Sequence, residues 1–273
     1  RWIMSFFKLF PKVGYDLNNT GVLQNIVNIY RSVRPLQEFI DDVTTYKFYE
    51  IKNGERPDIV SQRLYGTPDY YWTFFIINEY LHDGLASWPM SQEDLQSYMS
   101  TEYDGYAITT RPIIRRNSDL LVTDHENSLS GRFRLGETLT GSGNNATGTL
   151  TRKLTDLNQL IVQNVTGSFI GDPDATPNTT EVVTGGTSED SVNTHRVYKY
   201  IDAPYHYYLE NDVYQRVSDN GVHIQGGTAE SDLAFITNRQ HLEDSNDQRA
   251  KLRVIDPAFI DSFVDRFEEL INE

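Results

Sequence analysis

At 273 residues the chain is long enough for about two domains of roughly 100–200 residues each. Only 38% of it is apolar, below the about 45–50% usual for one well-buried globule, so several small modules sharing much surface fit better. Its 24 basic and 39 acidic residues leave a net charge of −15, which argues against nucleic-acid binding through bulk charge and disfavours adsorption to an anionic membrane. The absence of cysteine excludes a disulfide framework, a thiol nucleophile, thiolate-bound zinc and iron–sulfur clusters.

Residues 1–45 read as an arm with little core of its own. The start, Trp2 to Phe10, is rich in rings but broken by Lys8 and Pro11, which makes a poor signal peptide. No run approaches the roughly 18 apolar residues of a spanning helix. After a polar turn, Asp16 to Gly21, the apolar positions 22, 23, 26, 27 and 30 recur at helical spacing, although their β-branched residues also permit a strand.

Residues 46–111 form a module. Tyr46 to Ile51 is a short strand followed by the turn signal Asn53-Gly54. Pro57 opens a helix that Gly66 closes. Thr67-Pro68-Asp69 starts a second helix predicted to run to about Leu81, and Ser91 to Asp94 resembles a capping box for a third. The second of these is the anomaly: nine of the fourteen residues from Pro68 to Leu81 are apolar or aromatic, and they surround the helix. A helix apolar all round must be covered all round, and the module's own elements are short. Either another segment of the chain, such as the terminal helix, covers the remainder, or a neighbouring subunit does.

Residues 112–200 are rich in Gly, Thr, Ser and Asn with short alternating runs, the pattern of a small antiparallel barrel or roll. A weak repeat sets Phe133 to Gly141 against Phe169-Ile170-Gly171, resumed at Glu181 to Gly185. Residues 201–273 bring a tyrosine-rich strand, a polar linker around Glu243 to Gln248, a strand from Ala250 to Ile255 and a final helix. Asp256 and Pro257 are predicted to start that helix, with Phe259, Ile260, Phe263, Val264, Phe267, Leu270 and Ile271 forming one stripe. A stripe of that kind must dock on something, because each fully buried large side chain is worth about 1.5–3 kcal/mol.

Catalytic and metal motifs are weak. The six histidines have no helical zinc spacing, and Asp124-His125-Glu126 and Asp172-Pro173-Asp174 read as solvated loops. Gly141-Ser142-Gly143 lacks the flanking elements of a phosphate loop, and no Gly-x-Ser-x-Gly elbow occurs. No catalytic residue, cofactor or metal is expected, and no small-molecule substrate. A cell-wall hydrolase would have to use a carboxylate pair that nothing in the sequence singles out.

Tyr49 to Glu55, Leu64-Tyr65-Gly66 and Asn78 after a hydrophobic helix together resemble a LysM module. The run Asn53 to Val60, with Leu64-Tyr65-Gly66, Tyr71-Trp72 and Trp88-Pro89, is similar to the LysM-like baseplate wedge proteins of T-even-type contractile-tailed bacteriophages. Met4 to Pro11, Asn28 to Arg31 and the strand Lys251 to Ile255 fit the same family, whereas residues 112–200 look like a β-rich insertion. The resemblance and the residue patterns together give the expected α+β fold: a LysM-like module with an N-terminal extended arm, an inserted small antiparallel β-barrel or roll and a C-terminal amphipathic helix. The resemblance also implies a structural subunit that bridges neighbouring wedge components and helps join wedges around the hub. Such a protein is assembled in the host cytoplasm and ends in the virion tail, its partners being other wedge proteins and neighbouring copies. The expected contact residues are Phe6, Phe7 and Phe10 in the arm and Trp72, Phe75, Ile76, Tyr80 and Trp88 in the module. The alternative is a LysM module that binds peptidoglycan glycans.

Overall fold

A computed structural model describes residues 4–17, 19, 21–31, 45–110, 114–117, 120–123, 128–172, 174–175, 179–209, 212–217 and 233–273. The chain divides into two compact units, Arg1–Leu95 with Asp244–Glu273, and Gln96–Glu243.

The first unit is assembled from both ends of the sequence. Its core carries an antiparallel strand pair, Tyr46–Glu50 against Lys251–Ile255, in the register Lys251 to Glu50 through Ile255 to Tyr46. Between these strands in sequence lies the helix Pro57–Tyr65, with proline at its start and Gly66 in the left-handed region at φ 73°, as the cap chemistry predicts. The Thr67 side chain accepts from the Asp69 N–H at 3.2 Å, again as expected. The long helix predicted over Pro68 to Leu81 is not continuous. A 3₁₀ turn, Pro68–Tyr70, leads into the α-helix Thr73–Ile77, and a second 3₁₀ turn, Glu79–Leu81, follows.

The break falls at Asn78, whose backbone is extended (φ −105°, ψ 98°). Its side-chain amide instead donates to the carbonyls of Phe74 and Arg253, both at 2.8 Å, and its oxygen accepts from the Arg253 N–H at 2.9 Å. The amide thus occupies both polar groups of Arg253, as a third strand would. Asn78→Ala is expected to cost about 2–3 kcal/mol, because the Arg253 N–H and C=O lose their partner under a residue that is only 2% exposed. A shift of the urea midpoint of this unit checks it.

Two clusters fill the unit. Ile51, Val60, Phe74, Leu81, Trp88, Leu252 and Val254 lie under the strand pair. Phe10, Trp72, Ile77 and Ile255 pack with Ile260, Phe263, Phe267 and Ile271 of the terminal helix Ile260–Asn272. The predicted stripe therefore docks within its own unit. The helix begins three residues after Pro257, since Asp256 takes the Ala258 N–H at 3.0 Å in a preceding turn.

Residues 24–27 resolve the ambiguity of the arm in favour of a strand. Lys12–Tyr15 and Gln24–Val27 pair as a hairpin, Lys12 with Val27 through Tyr15 with Gln24. The polar linker expected around Glu243 to Gln248 is instead part of the helix Asn238–Ala250.

In the second unit the expected roll appears as a curled seven-stranded antiparallel sheet. Its strand order is Ser191–Asn193, Val182–Gly185, Thr138–Gly141, Thr147–Leu154, Gln159–Thr166, Tyr106–Thr109, Val197–Lys199. The two edge strands belong to one run of chain. Residues 191–193 pair with Val182–Gly185, and residues 197–199 pair with Tyr106–Thr109. One segment thereby holds both edges, which answers the liability of open edges. Leu129, Leu139, Leu150, Leu160, Val162 and Val183 are fully buried inside the curl.

The weak sequence repeat has a structural counterpart. Leu150 donates to the Glu137 carbonyl as Thr194 does to that of Glu181, and Gly141 donates to Ala146 as Gly185 does to Asp190. The paired positions are 44 apart (181 − 137 and 185 − 141). The 36-residue offset of the two phenylalanines is shorter because the segment between Phe169 and Glu181 is eight residues longer than that between Phe133 and Glu137.

Candidate protein interface

Of the motif residues that carry the family likeness, Glu55, Val60, Trp72, Asn78 and Trp88 are buried inside the first unit. The Trp88 indole donates to the Glu55 carbonyl at 2.8 Å, and Tyr49 donates to the Glu55 carboxylate at 2.8 Å. Arg63 pairs with the same carboxylate and donates to the Tyr49 hydroxyl at 2.7 Å. Burial, reinforced by the Glu55 carboxylate, raises the Tyr49 phenol above its ordinary range despite the opposing Arg63. Burial likewise raises Tyr65, whose hydroxyl donates to the Ile255 carbonyl at 3.0 Å. These groups tie the first helix to the strand pair.

The expected contact residues fall into two groups. Trp72, Trp88 and Phe10 are 4%, 9% and 8% exposed and serve the chain's own core. The Trp72 ring lies 4.7 Å from Phe267 and 5.1 Å from Phe6. Phe6, Phe75 and Ile76 are half-buried, while Phe7 and Tyr80 are exposed. Of the two possible covers for this apolar run, the terminal helix and the root of the arm supply one, packing on Trp72 and Ile77 and against the half-buried Tyr70, Tyr71 and Ile76.

A longer run of exposed apolar residues lies in and beside the arm hairpin. Val13, Tyr15, Leu17, Val22, Leu23, Ile29 and Tyr30 are all exposed, Tyr30 by 93%. The hairpin's root is fixed: Phe6, Leu9, Phe10 and Val27 pack on the terminal-helix cluster, and Asn272 donates to the Leu9 carbonyl at 3.2 Å. Gly21 donates to Asp16 at 2.6 Å and closes the turn. Over residues 4–31, Lys8, Lys12 and Arg31 against Asp16 give +2 on a chain of −15. The arm is therefore both apolar and basic on an acidic protein. Sequence reasoning missed this surface because the alternation Val13, Tyr15, Leu17, a period of two, is only three positions long.

A second exposed ring, Phe48 at 75%, stands on the strand Tyr46–Glu50. It borders a groove of about 370 Å³ lined also by Ile77, Glu79, Tyr80, Lys251 and Arg253. The Arg253 guanidinium lies 4.6 Å from the Tyr46 ring centre, and Tyr80 donates to the Lys251 carbonyl.

Among the described residues no cluster of three or more His, Asp or Glu could hold a metal ion, and no helix is long and apolar enough to cross a membrane. Asp124, His125 and Glu126 lie outside the described residues, as does Pro173. The Gly143 N–H donates to the chain's own Glu181 carboxylate at 2.8 Å.

Comparison with known proteins gives one family. Residues 3–107 match the family model described as base plate wedge protein 53, which spans the arm, the first strand and the helices that follow. No curated protein matches the chain. Residues 3–107, 105 of the chain's 273, are therefore similar to the base plate wedge protein 53 family, a family of structural components of the phage baseplate.

Proposed function

We propose that the protein bridges neighbouring wedge components of the baseplate and helps join wedges around the hub, with the arm of residues 1–45 as its principal contact. The observation that carries this reading is the hairpin Lys12–Tyr15 with Gln24–Val27, whose apolar side chains stand in solvent while its root is anchored. A lone two-stranded hairpin is marginal in water, and its open edges and apolar residues suit strand addition to a partner. The surplus of Lys and Arg over residues 4–31 fits an acidic groove on a neighbouring wedge component. Tyr80, Phe75 and Ile76 are the module's contribution in this reading, with Phe48 beside them, and Phe7 adds to that of the arm. Trp72, Trp88 and Phe10 support that surface from beneath.

We further read the strand Tyr46–Glu50, the helices Pro57–Tyr65 and Thr73–Ile77 and the strand Lys251–Ile255 as a LysM-like module. Its second strand arrives from the far end of the chain. The pairing of these strands, locked by Asn78, supports that reading.

The test is co-assembly of the full chain with the wedge components of its own phage, weighed by light scattering after size exclusion. Leu23→Asp with Tyr30→Asp is expected to abolish the complex while leaving the melting temperature within about 2 °C, since both residues are exposed. Full assembly by this double variant would overturn the arm as the contact.

A further inference from the structure

The second unit contains a cleft of about 550 Å³, within the roughly 300–1,000 Å³ of small-ligand sites. Tyr103 and Tyr106 supply rings to its lining, and Gln96, Asp104 and Lys199 supply polar groups. Among the described residues, the side chains of Gln96, Asp104 and Lys199 have no hydrogen-bond or ion-pair partner, and neither do the hydroxyls of the two tyrosines. Gln96, Asp104, Tyr106 and Lys199 are solvent-exposed, so these groups are hydrated in the free protein and open to a ligand that enters the cleft.

The walls are held in place. The Tyr103 ring centre is 4.9 Å from that of the buried Tyr200, and Asn238 donates to the Tyr200 carbonyl at 2.8 Å. Arg239 donates to Asp202 at 3.0 Å, fixing both side chains at the rim. A preorganised lining of this sort lowers the ordering cost of binding.

The lining also states what it would take. Asp104 and Asp202 balance Lys199 and Arg239, so no net charge selects an ion. Tyrosine rings offer flat apolar faces, Tyr106 being 38% exposed. The exposed amide, carboxylate and ammonium groups can exchange their water for hydroxyls, which both donate and accept. A pyranose presents both features, a C–H face and a rim of hydroxyls, without charge. We propose that this cleft binds a neutral oligosaccharide.

The test uses the full chain and saturation-transfer NMR with maltotriose, cellotriose and tri-N-acetylchitotriose, with the tripeptide Gly-Ser-Asn as competitor. At least one trisaccharide is expected to bind. Its affinity should fall about tenfold or more in Tyr106→Ala and in Asp104→Asn, the latter isosteric and neutral to folding, and stay unchanged in Leu135→Ala. The proposal fails if none of the three sugars binds, or if Asp104→Asn binds like the parent protein. It also fails if the tripeptide displaces the sugar at equal concentration, which would make the cleft a peptide groove.

Discussion

Trp72→Ala is expected to destabilise the first unit by about 3–5 kcal/mol, the range for removing a fully packed large aromatic. The indole is 4% exposed and is a meeting point of three segments distant in sequence. Phe6 comes from the arm at 5.1 Å, and Phe267 and Phe263 come from the terminal helix at 4.7 and 6.3 Å. Alanine would leave a cavity that none of these can collapse into without losing its other contacts, since Phe263 and Phe267 are themselves 0% and 1% exposed. A loss of this size is a large share of the about 5–15 kcal/mol that holds a domain together. Hydrogen exchange would then show the amides of Ile260–Asn272 losing protection, while those of the curled sheet keep theirs. Loss of assembly by this variant would follow from unfolding. The interface must instead be probed at Leu23, Tyr30 or Phe48, whose exposure lets contact and folding separate.

That contrast shows what the sequence made legible. Local chemistry read correctly: Gly66 ends a helix and Thr67 caps the next turn. Ser91 accepts the Asp94 N–H at 3.1 Å as a capping box requires, and the apolar stripe of the terminal helix is buried as its period demands. Elements decided by distant partners were not legible. Asn78 interrupts an apolar helical run because Arg253, 175 residues away, offers it a strand edge. The helix Asn238–Ala250 has only Leu242 and Ala250 as apolar residues, so no stripe marks it. The ring-rich stretch Tyr70 to Leu81 could be assigned to a foreign partner or to the chain itself only once the terminal helix was placed. Those rings are numerous because a small core built from both chain ends has few other sources of buried area. The family motif was legible for a related reason. Glu55, Tyr65, Asn78 and Trp88 lock this core together through the hydrogen bonds given above, so the motif marks the packing of the unit.

Glu137→Gln is expected to lower the stability of the curled sheet by about 2–4 kcal/mol at neutral pH and to flatten its acid dependence. Glu137 is 5% exposed. One carboxylate oxygen accepts from the N–H groups of Thr187 and Ser188 at 3.0 and 2.9 Å, and the other from the Arg134 N–H and the Ser188 hydroxyl at 2.7 and 2.9 Å. Its counterpart Glu181 accepts from Gly143 and Ile170. Each carboxylate rests where its counterpart hairpin ends in glycine. A Cβ at Gly185 would stand 2.7 Å from Glu137, and one at Gly141 2.5 Å from Glu181. Burial by itself raises the Glu137 carboxyl, but the N–H groups of Ser188, Arg134 and Thr187 outweigh it and hold the group below its ordinary value of 4.5. A carboxyl depressed in the folded state contributes stability that is complete above its unfolded value and is lost as pH falls through the folded one. Urea midpoints followed through the sheet should therefore drop from about pH 4.5 downward in the parent protein. In Glu137→Gln the amide turns a donor toward N–H donors at every pH, so the midpoint starts lower and the two curves converge in acid. Parallel curves across that window would mean that the carboxylate does not carry the turn, and that the duplicated hairpins are held by their strand pairing alone.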